Sequence, residues 1–523
     1  MTPGSERTSS PLTGHREVER KFRVPPGFSL PDLAAVAGVQ RVEEPAAFTM
    51  RNDYYDTADL RLFRWGITLR RREGGPDEGW HLKLPVVGRG QGVRDEIRAP
   101  LSEHVPDEFV RLVTPFARGE SLGYVAGLRT HRAPRVLIDV AGVPRIEVVD
   151  DHVDIIGGTS FREIEAEALP GTDGTLDEEL LQRVSQALLD AGATPGTMSK
   201  AGAALGPRAA VPPDIEDIPW PSVDAPAGDV VHAYLAHHAR RLLLADLLLR
   251  RDLPDAIHQM RVSARRLRSG LKVFAPLLDT TWASRLSAEL GWMASSLGQA
   301  RDTEVLQERL DRHARQLDGG DDVLAAAIVD AALDAQMAAA QDEALSAVDS
   351  ERYVSLLEDL VVGVRRPPLT PAADAPASKV LPRLVAKAFR RLSRRVDALG
   401  MDSPSPQWHE ARIAAKRARY AADAVAPVIG SAIADLAERL ADTTEILGSH
   451  QDAHVAQHAL RAIADAGIGP TEAASPTRRA TPAESFALGR LLAIEEAAEL
   501  ADREAFLALW PTVRKAARKA GAA

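Results

Sequence analysis

The sequence predicts an α+β chain: an antiparallel β barrel or sandwich in the N-terminal part, then an all-α, duplicated helical bundle. Three observations predict it. From about Arg16 to Leu205, short runs alternate apolar and polar residues and are separated by Gly, Pro and Asp, the pattern of half-buried strands. Beyond Asp229 the chain is rich in Ala, Leu and Arg at helical period. That helical part then repeats itself.

In chain order, the strand runs are EVERKFRV, ITLRRRE, WHLKLPV, VRDEIRAP, RVLIDV, PRIEVVDD and FREIEAEAL. With their neighbours they suggest about eight strands, enough to close a barrel. Helical segments are expected near Ser29–Ala37 and Leu176–Ala191. Residues Gly206–Asp229 are Pro-rich, acidic and aperiodic, and read as a linker. Arg365–Ser378 and Gly467–Ser485 read as further breaks. In the helical part His258, Arg261, Arg265, Arg266 and Arg268 recur as His409, Arg412, Lys416, Arg417 and Arg419, 151 residues later. Leu297-Gly298 and Arg301-Asp302 recur as Leu447-Gly448 and Gln451-Asp452, 150 residues later. A repeat this long implies a bundle of several helices per copy.

Composition bounds the function. The 523 residues suit about two to four domains. The formal charge of −10 opposes a generic nucleic-acid or membrane-surface binder. With no cysteine, thiol nucleophiles, thiolate metal sites and disulfides are excluded, which fits a reducing compartment. The N-terminus lacks an apolar signal core, and no run approaches ~20 uninterrupted apolar residues. The expectation is a cytoplasmic protein with no membrane partner.

Glu17, Glu19 and Lys21 alternate along one strand and so share a face. Arg70 and Arg72, His81 and Lys83, Arg94 and Glu96, and Glu163, Glu165 and Glu167 do the same. A polar sheet face is commonly just solvated. Here the opposite faces are partly apolar, as in Val18/Phe22, Ile67/Leu69 and Leu82/Leu84. In a closed barrel that turns the charges inward, where each needs a partner or a ligand. Carboxylates beside Lys and Arg suit an anion held with Mg²⁺ or Mn²⁺.

EVERK (Glu17–Lys21) resembles the ExExK signature of the CYTH domain, the triphosphate tunnel metalloenzyme family. DYYDT, LRRRE, WHLKLP, DDHV, EIEAE and Ser199-Lys200 follow in the family's order. The resemblance covers Arg16–Leu205 and implies an eight-stranded antiparallel β tunnel barrel with a few helices. It implies Glu17, Glu19, Asp151, Glu163 and Glu165 as metal ligands, and Lys21, Arg70, Arg72, Lys83, Arg132 and Lys200 as the substrate's phosphate-binding groups. Arg129 and Arg135 are alternatives to Arg132; Glu96 and Glu167 are supporting residues. Glu17, Glu19, Lys21, Lys83 and Lys200 would be catalytic. The implied chemistry is metal-dependent hydrolysis of inorganic triphosphate to diphosphate and phosphate. Thiamine or nucleoside triphosphate hydrolysis, adenylate cyclase activity, or binding without turnover are the alternatives.

In the helical part His258, Arg261, Arg265, Arg268 and Lys272 are spaced +3, +4, +3, +4, a continuous helix face. His409, Arg412, Lys416 and Arg419 repeat it; Leu267, Leu271 and Ile413 are core candidates. Such stripes are often plain solvated faces, but two of them facing each other would repel unless a polyanion lay between. Few aromatics accompany them, which opposes base stacking and sequence-specific nucleic-acid recognition. The doubled H-x-x-R-x-x-x-[KR]-R-x-R element followed by LGxxxD resembles the CHAD domain, over about Asp229–Arg518. This implies long-chain polyphosphate as partner, contacted by His258, Arg261, Arg265, Arg268, Arg301, His409, Arg412, Lys416 and Arg419, with Gln451 replacing one arginine. The expected organisation is tunnel domain 14–206, linker 207–228 and helical domain 229–518, with repeats at about 229–364 and 379–518.

Overall fold

Alternation in the N-terminal part becomes a sheet whose two edges meet. The computed structural model describes residues 13–25, 27–86, 93–466 and 480–523. Its strands are β1 Thr13–Arg23, β2 Arg41–Glu43, β3 Phe48–Asp56, β4 Thr68–Glu73, β5 Gly79–Pro85, β6 Val93–Ala99, β7 Gly123–Ile138, β8 Pro144–Ile155, β9 Ser160–Ala168 and β10 Thr194–Pro195. Eight of them run β1-β6-β5-β4-β3-β7-β8-β9 and return to β1. β1 makes the closure by changing partners along its length. Thr13–Val18 pair with Arg98–Val93 of β6, and Glu19–Arg23 pair with Glu167–Glu163 of β9. Closure leaves no edge among the eight strands. β2 and β10 lie off the ring, on β7 and β1.

The outward faces are apolar. Val18, Phe22, Ile146, Val148, Ile164 and Ala166 form one core with Leu180, Leu181, Val184 and Leu188. The last four come from a helix among α1 Arg61–Arg64, α2 Asp107–Ala117, α3 Glu178–Asp190 and α4 Lys200–Leu205. That helix, α3, is the one expected near Leu176–Ala191. The helix expected at Ser29–Ala37 is only a 3₁₀ turn, Leu33–Ala35. Pro31 and Gly38 confine it, and Leu30, Leu33, Val36 and Val39 bury against the same core without a full helix. α2 was not expected. Its Pro106 N-cap and Pro115 read as breakers, although Phe109, Leu112, Val113 and Phe116 bury at helical spacing.

The chain divides into two units between Asp214 and Ile215, inside the segment read as a linker. Asp214 is buried on the barrel unit. It accepts a hydrogen bond from Trp65 Nε1 at 2.7 Å and pairs with Arg118.

Among its described residues the second unit has α5 Ala227–Arg250, α6 Ala256–Val273, α7 Thr280–Ser296, α8 Gly298–Ala314, α9 Asp321–Val348, α10 Glu351–Arg365, α11 Ala377–Val396, α12 Ser405–Ile429, α13 Ser431–Ala466 and α14 Pro482–Lys519. The duplication is visible in the element order. α5 and α6 correspond to α11 and α12. The pair α7 and α8, broken at Leu297, corresponds to the single long α13. Most of the break expected at Gly467–Ser485 lies outside the described residues. A core of Leu310, Ala325, Val329, Ala456, Leu460 and Leu488 joins α8, α9, α13 and α14. By length and composition α9 alone among the described helices is apolar enough to cross a bilayer, yet its Ala325, Ile328, Val329 and Leu333 sit in that core. Leu267 and Leu271 are buried as expected, but Ile413 is 38% exposed. Ala411, Ala414, Ala415, Ala418 and Ala422 occupy the buried face of α12, and Ile413 falls off that stripe.

Candidate active site

The inward faces of the barrel line a cavity of about 1210 Å³. Strand alternation decides what enters it. On β1, Glu17, Glu19 and Lys21 point in while Val18 and Phe22 point out. On β4 and β5, Arg70, Arg72 and Lys83 line the cavity, while Leu69, Leu82 and Leu84 are buried on the other face. Lys200 arrives from outside the sheet: Ser199 caps α4 by accepting from Gly202 N at 3.0 Å, which sets Lys200 on its first turn. Of the three arginines of β7, Arg132 enters the cavity. Arg129 and Arg135 have the opposite parity, and Arg135 reaches Glu44 at 3.1 Å.

Two carboxylates act as hubs. Glu165 meets Lys21 at 2.8 Å, Lys200 at 2.8 Å and Arg132 at 3.1 Å. Glu96 meets Arg98 at 2.6 Å, Arg70 at 3.2 Å, Lys83 at 3.7 Å and His81 Nδ1 at 3.1 Å. Around them, Lys83 donates to Glu17 at 2.6 Å, Lys21 lies 3.1 Å from Glu19, and Lys200 also holds Glu163 at 2.5 Å and Asp151 at 2.8 Å. Arg132 grips Asp151 with two hydrogen bonds of 2.8 and 2.7 Å. Arg72 donates to Asn52 at 2.9 Å and pairs with Asp77.

The protonation balance follows from burial against pairing. Burial opposes ionisation of Glu165, but Lys200 and Lys21 outweigh it and hold the group well below the usual carboxylate range. Asp151 is lowered in the same way, by Lys200 and Arg132, and Glu19 by Lys21 and Lys83. For Glu17 and Glu163 burial prevails and raises both. Burial and then Arg70 push the Arg72 guanidinium down to about 10. Burial, then Glu17, push Glu167 up to about 8.

The five expected metal ligands do not form one compact donor set. Asp151, Glu163 and Glu165 gather around Lys200. The described donors that lie within 4.8 Å of one another are His15, Glu17 and Glu167, a set whose oxygen and nitrogen chemistry suits a divalent cation. Sequence reasoning missed His15, Asn52, Asp77 and Glu147 as cavity residues. His15 could have been found by extending the alternation of Glu17 and Glu19 one step back. Asp77 lies in the β4–β5 turn and has no periodic signal.

In the second unit α6 and α12 pack together, with Arg265 and Arg266 over the Tyr420 ring at 5.9 and 4.9 Å. The two basic stripes therefore share one region. Burial, then Arg412 and Arg265, push Lys416 down to about 8. Burial likewise lowers Arg265, with Arg266, Arg261 and Arg419 adding to the effect. Some of the expected polyanion ligands are engaged internally. Arg261 donates to Leu297 O at 3.3 Å and lies 3.0 Å from Asp302. Arg301 pairs with Glu304 at 2.7 Å, and Arg419 donates to Thr444 Oγ1 at 2.7 Å. His409 Nδ1 donates to Gln451 at 2.7 Å. His258 and Arg268 lie on α6 with Arg261, both partly buried.

Residues 15–190 match the CYTH domain and residues 233–461 match the CHAD domain. An uncharacterized protein of Mycobacterium tuberculosis (strain ATCC 25618 / H37Rv) is 35% identical over 481 residues, covering 85% of this chain and 88% of the relative. Among solved structures, PptA from Streptomyces chartreusis is 30% identical, over 55% of this chain and 100% of that one, with a TM-score of 0.46. The CHAD domain from the plant Ricinus communis is 27% identical, over 55% and 94%, with a TM-score of 0.43.

Proposed function

Because this chain belongs to the family of proteins that join a CYTH domain to a CHAD domain, we propose that its tunnel hydrolyses inorganic triphosphate to diphosphate and phosphate with Mg²⁺ or Mn²⁺, and that its helical unit binds long-chain polyphosphate. The observation that carries the reading is the lattice of alternating carboxylates and cations inside a closed barrel. Such a lattice can exchange partners without a change of fold. Lys21, Arg70, Arg72, Lys83, Arg132 and Lys200 would leave their carboxylates for phosphate oxygens, and the released carboxylates would take the cations that accompany the substrate. When bound, the metal supplies charge neutralisation and acidifies water.

The residues of the chain supply the rest. Arg132 and Lys200 hold the phosphoryl oxygens and counter charge as the transferred group separates. Lys83 and Lys21 do so from the β1 side. The sheet restricts bulk water to the cavity openings. Inorganic triphosphate is favoured as substrate because the charged groups that line the cavity suit phosphate and metal.

The test is a phosphate-release assay over triphosphate, ATP, thiamine triphosphate and long-chain polyphosphate, with Mg²⁺ or Mn²⁺. Triphosphate should be cleaved fastest, and Glu19→Ala should lower the rate by at least about a hundredfold with an unchanged circular-dichroism spectrum. Release from none of the four would reject catalysis and leave the tunnel a binding site.

A further inference from the structure

One tunnel residue stands apart from the carboxylate–cation lattice. His15 precedes Glu17 by two on β1, so its imidazole enters the same cavity. Its Nε2 lies 3.5 Å from Arg98, 3.7 Å from Glu96 and 3.8 Å from Glu17. All three are longer than a good hydrogen bond; the contact with Arg98 is the shortest of them and is weak. Glu167 stands beside it, and its carboxylate, among the described residues, makes no side-chain hydrogen bond or ion pair. Two carboxylates, Glu17 and Glu167, thus converge with an imidazole on one point, and the neighbouring ammonium of Lys83 is committed to Glu17 at 2.6 Å. Converging carboxylates in a partly buried wall favour a cation between them or a proton on one of them.

The donor types then discriminate among cations. Mg²⁺ is hard, demands oxygen and retains water. An imidazole nitrogen adds little for Mg²⁺ but favours first-row transition ions. We propose that His15 is the residue by which this tunnel selects its metal, supplying a nitrogen ligand beside Glu17 and Glu167 that favours Mn²⁺ over Mg²⁺. This rests on the reading of the tunnel as a metal-dependent site. It goes beyond the oxygen ligands on which that reading stands, because carboxylates alone do not separate the two ions.

The test uses the full chain and Mn²⁺ itself. Pulsed electron paramagnetic resonance of bound Mn²⁺, with and without inorganic diphosphate, should show coupling to a ¹⁴N nucleus. Growth on ¹⁵N-histidine should shift that coupling, and His15→Ala should abolish it. In competition titrations His15→Ala should weaken Mn²⁺ about tenfold and Mg²⁺ by less than about twofold. His15→Asp, which restores an oxygen donor at a half-exposed position, should bind both ions without nitrogen coupling, and it serves if the alanine variant does not fold. Mn²⁺ bound without histidine coupling, or equal weakening of both ions, would overturn the role of His15 and leave the triphosphatase reading intact. No Mn²⁺ bound in either condition would overturn both.

Discussion

Glu96 is fully buried, yet its carboxylate faces Arg70, Arg98, Lys83 and His81. Burial works against its ionisation, and the surrounding groups overcome this and hold it far below the usual carboxylate range. Removing one partner of such a cluster leaves buried charge uncompensated. Glu96→Gln should therefore destabilise the barrel unit by about 3–5 kcal/mol, read by urea unfolding. Lys416 is the residue with a usable pH signature. Its ammonium, lowered to about 8, is charged below that pH and neutral above it in the free protein. Affinity for polyphosphate should fall as pH rises through about 8. Lys416→Arg should remove that step, as isothermal titration at pH 7 and pH 9 would show. Folding has the opposite sign: the unfolded chain keeps its proton to higher pH, so this group's contribution to stability rises between about 8 and the ordinary lysine value. At this scale Glu17, Glu19, Lys21, Lys83, Glu163 and Glu165 were legible because alternation alone groups them. Arg132 was favoured over Arg129 and Arg135, but alternation alone did not separate them, because a sequence does not state which parity of a long strand faces in.

Elements show where local signals suffice. β1, β4, β5, β6 and β9 alternate cleanly, and each is found. β7 was seen only in its last part, since Ala, Gly and Pro dilute its pattern over Gly123–Ile138. β5 also carries a backbone demand. Gly79 has φ +141°, and a Cβ there would stand 2.5 Å from Ala99 O across the β5–β6 pairing. Gly79→Ala should cost about 1–3 kcal/mol and loosen the strand that presents Lys83. Thermal unfolding would measure the first effect, and the KM for triphosphate the second. In the helical unit, the second copy runs through Leu447-Gly448 as one helix where the first breaks at Leu297-Gly298. Repeat matching aligned the two segments but carried no sign of that difference.

Across the whole molecule the net charge of −10 conceals the distribution that matters. Cations concentrate along the tunnel wall and where α6 meets α12, so the local field differs from the sum. The logarithm of the intact chain's polyphosphate affinity should decline linearly with the logarithm of salt concentration. Joint replacement of Arg265, Arg412 and Lys416 by Gln should flatten that slope by about two to three charges' worth, measured by binding titrations between low and high salt. An unchanged slope would move the polyanion site elsewhere.

The sequence by itself determined the two architectures, the duplication, the absence of thiol chemistry and the identities of most charges that line the tunnel, because period, composition and motif order are local properties of the chain. Tertiary structure alone decided which charges meet. The β7-β8-β9 pairing and the placement of α4 bring Glu165 to Arg132 and Lys200, the β4-β5-β6 pairing buries Glu96 among four partners, and closure of β1 onto β9 sets His15 beside Glu167. Those pairs are separated by 35, 33 and 152 residues, as read from the numbering, and only the closed sheet gives them a common interior.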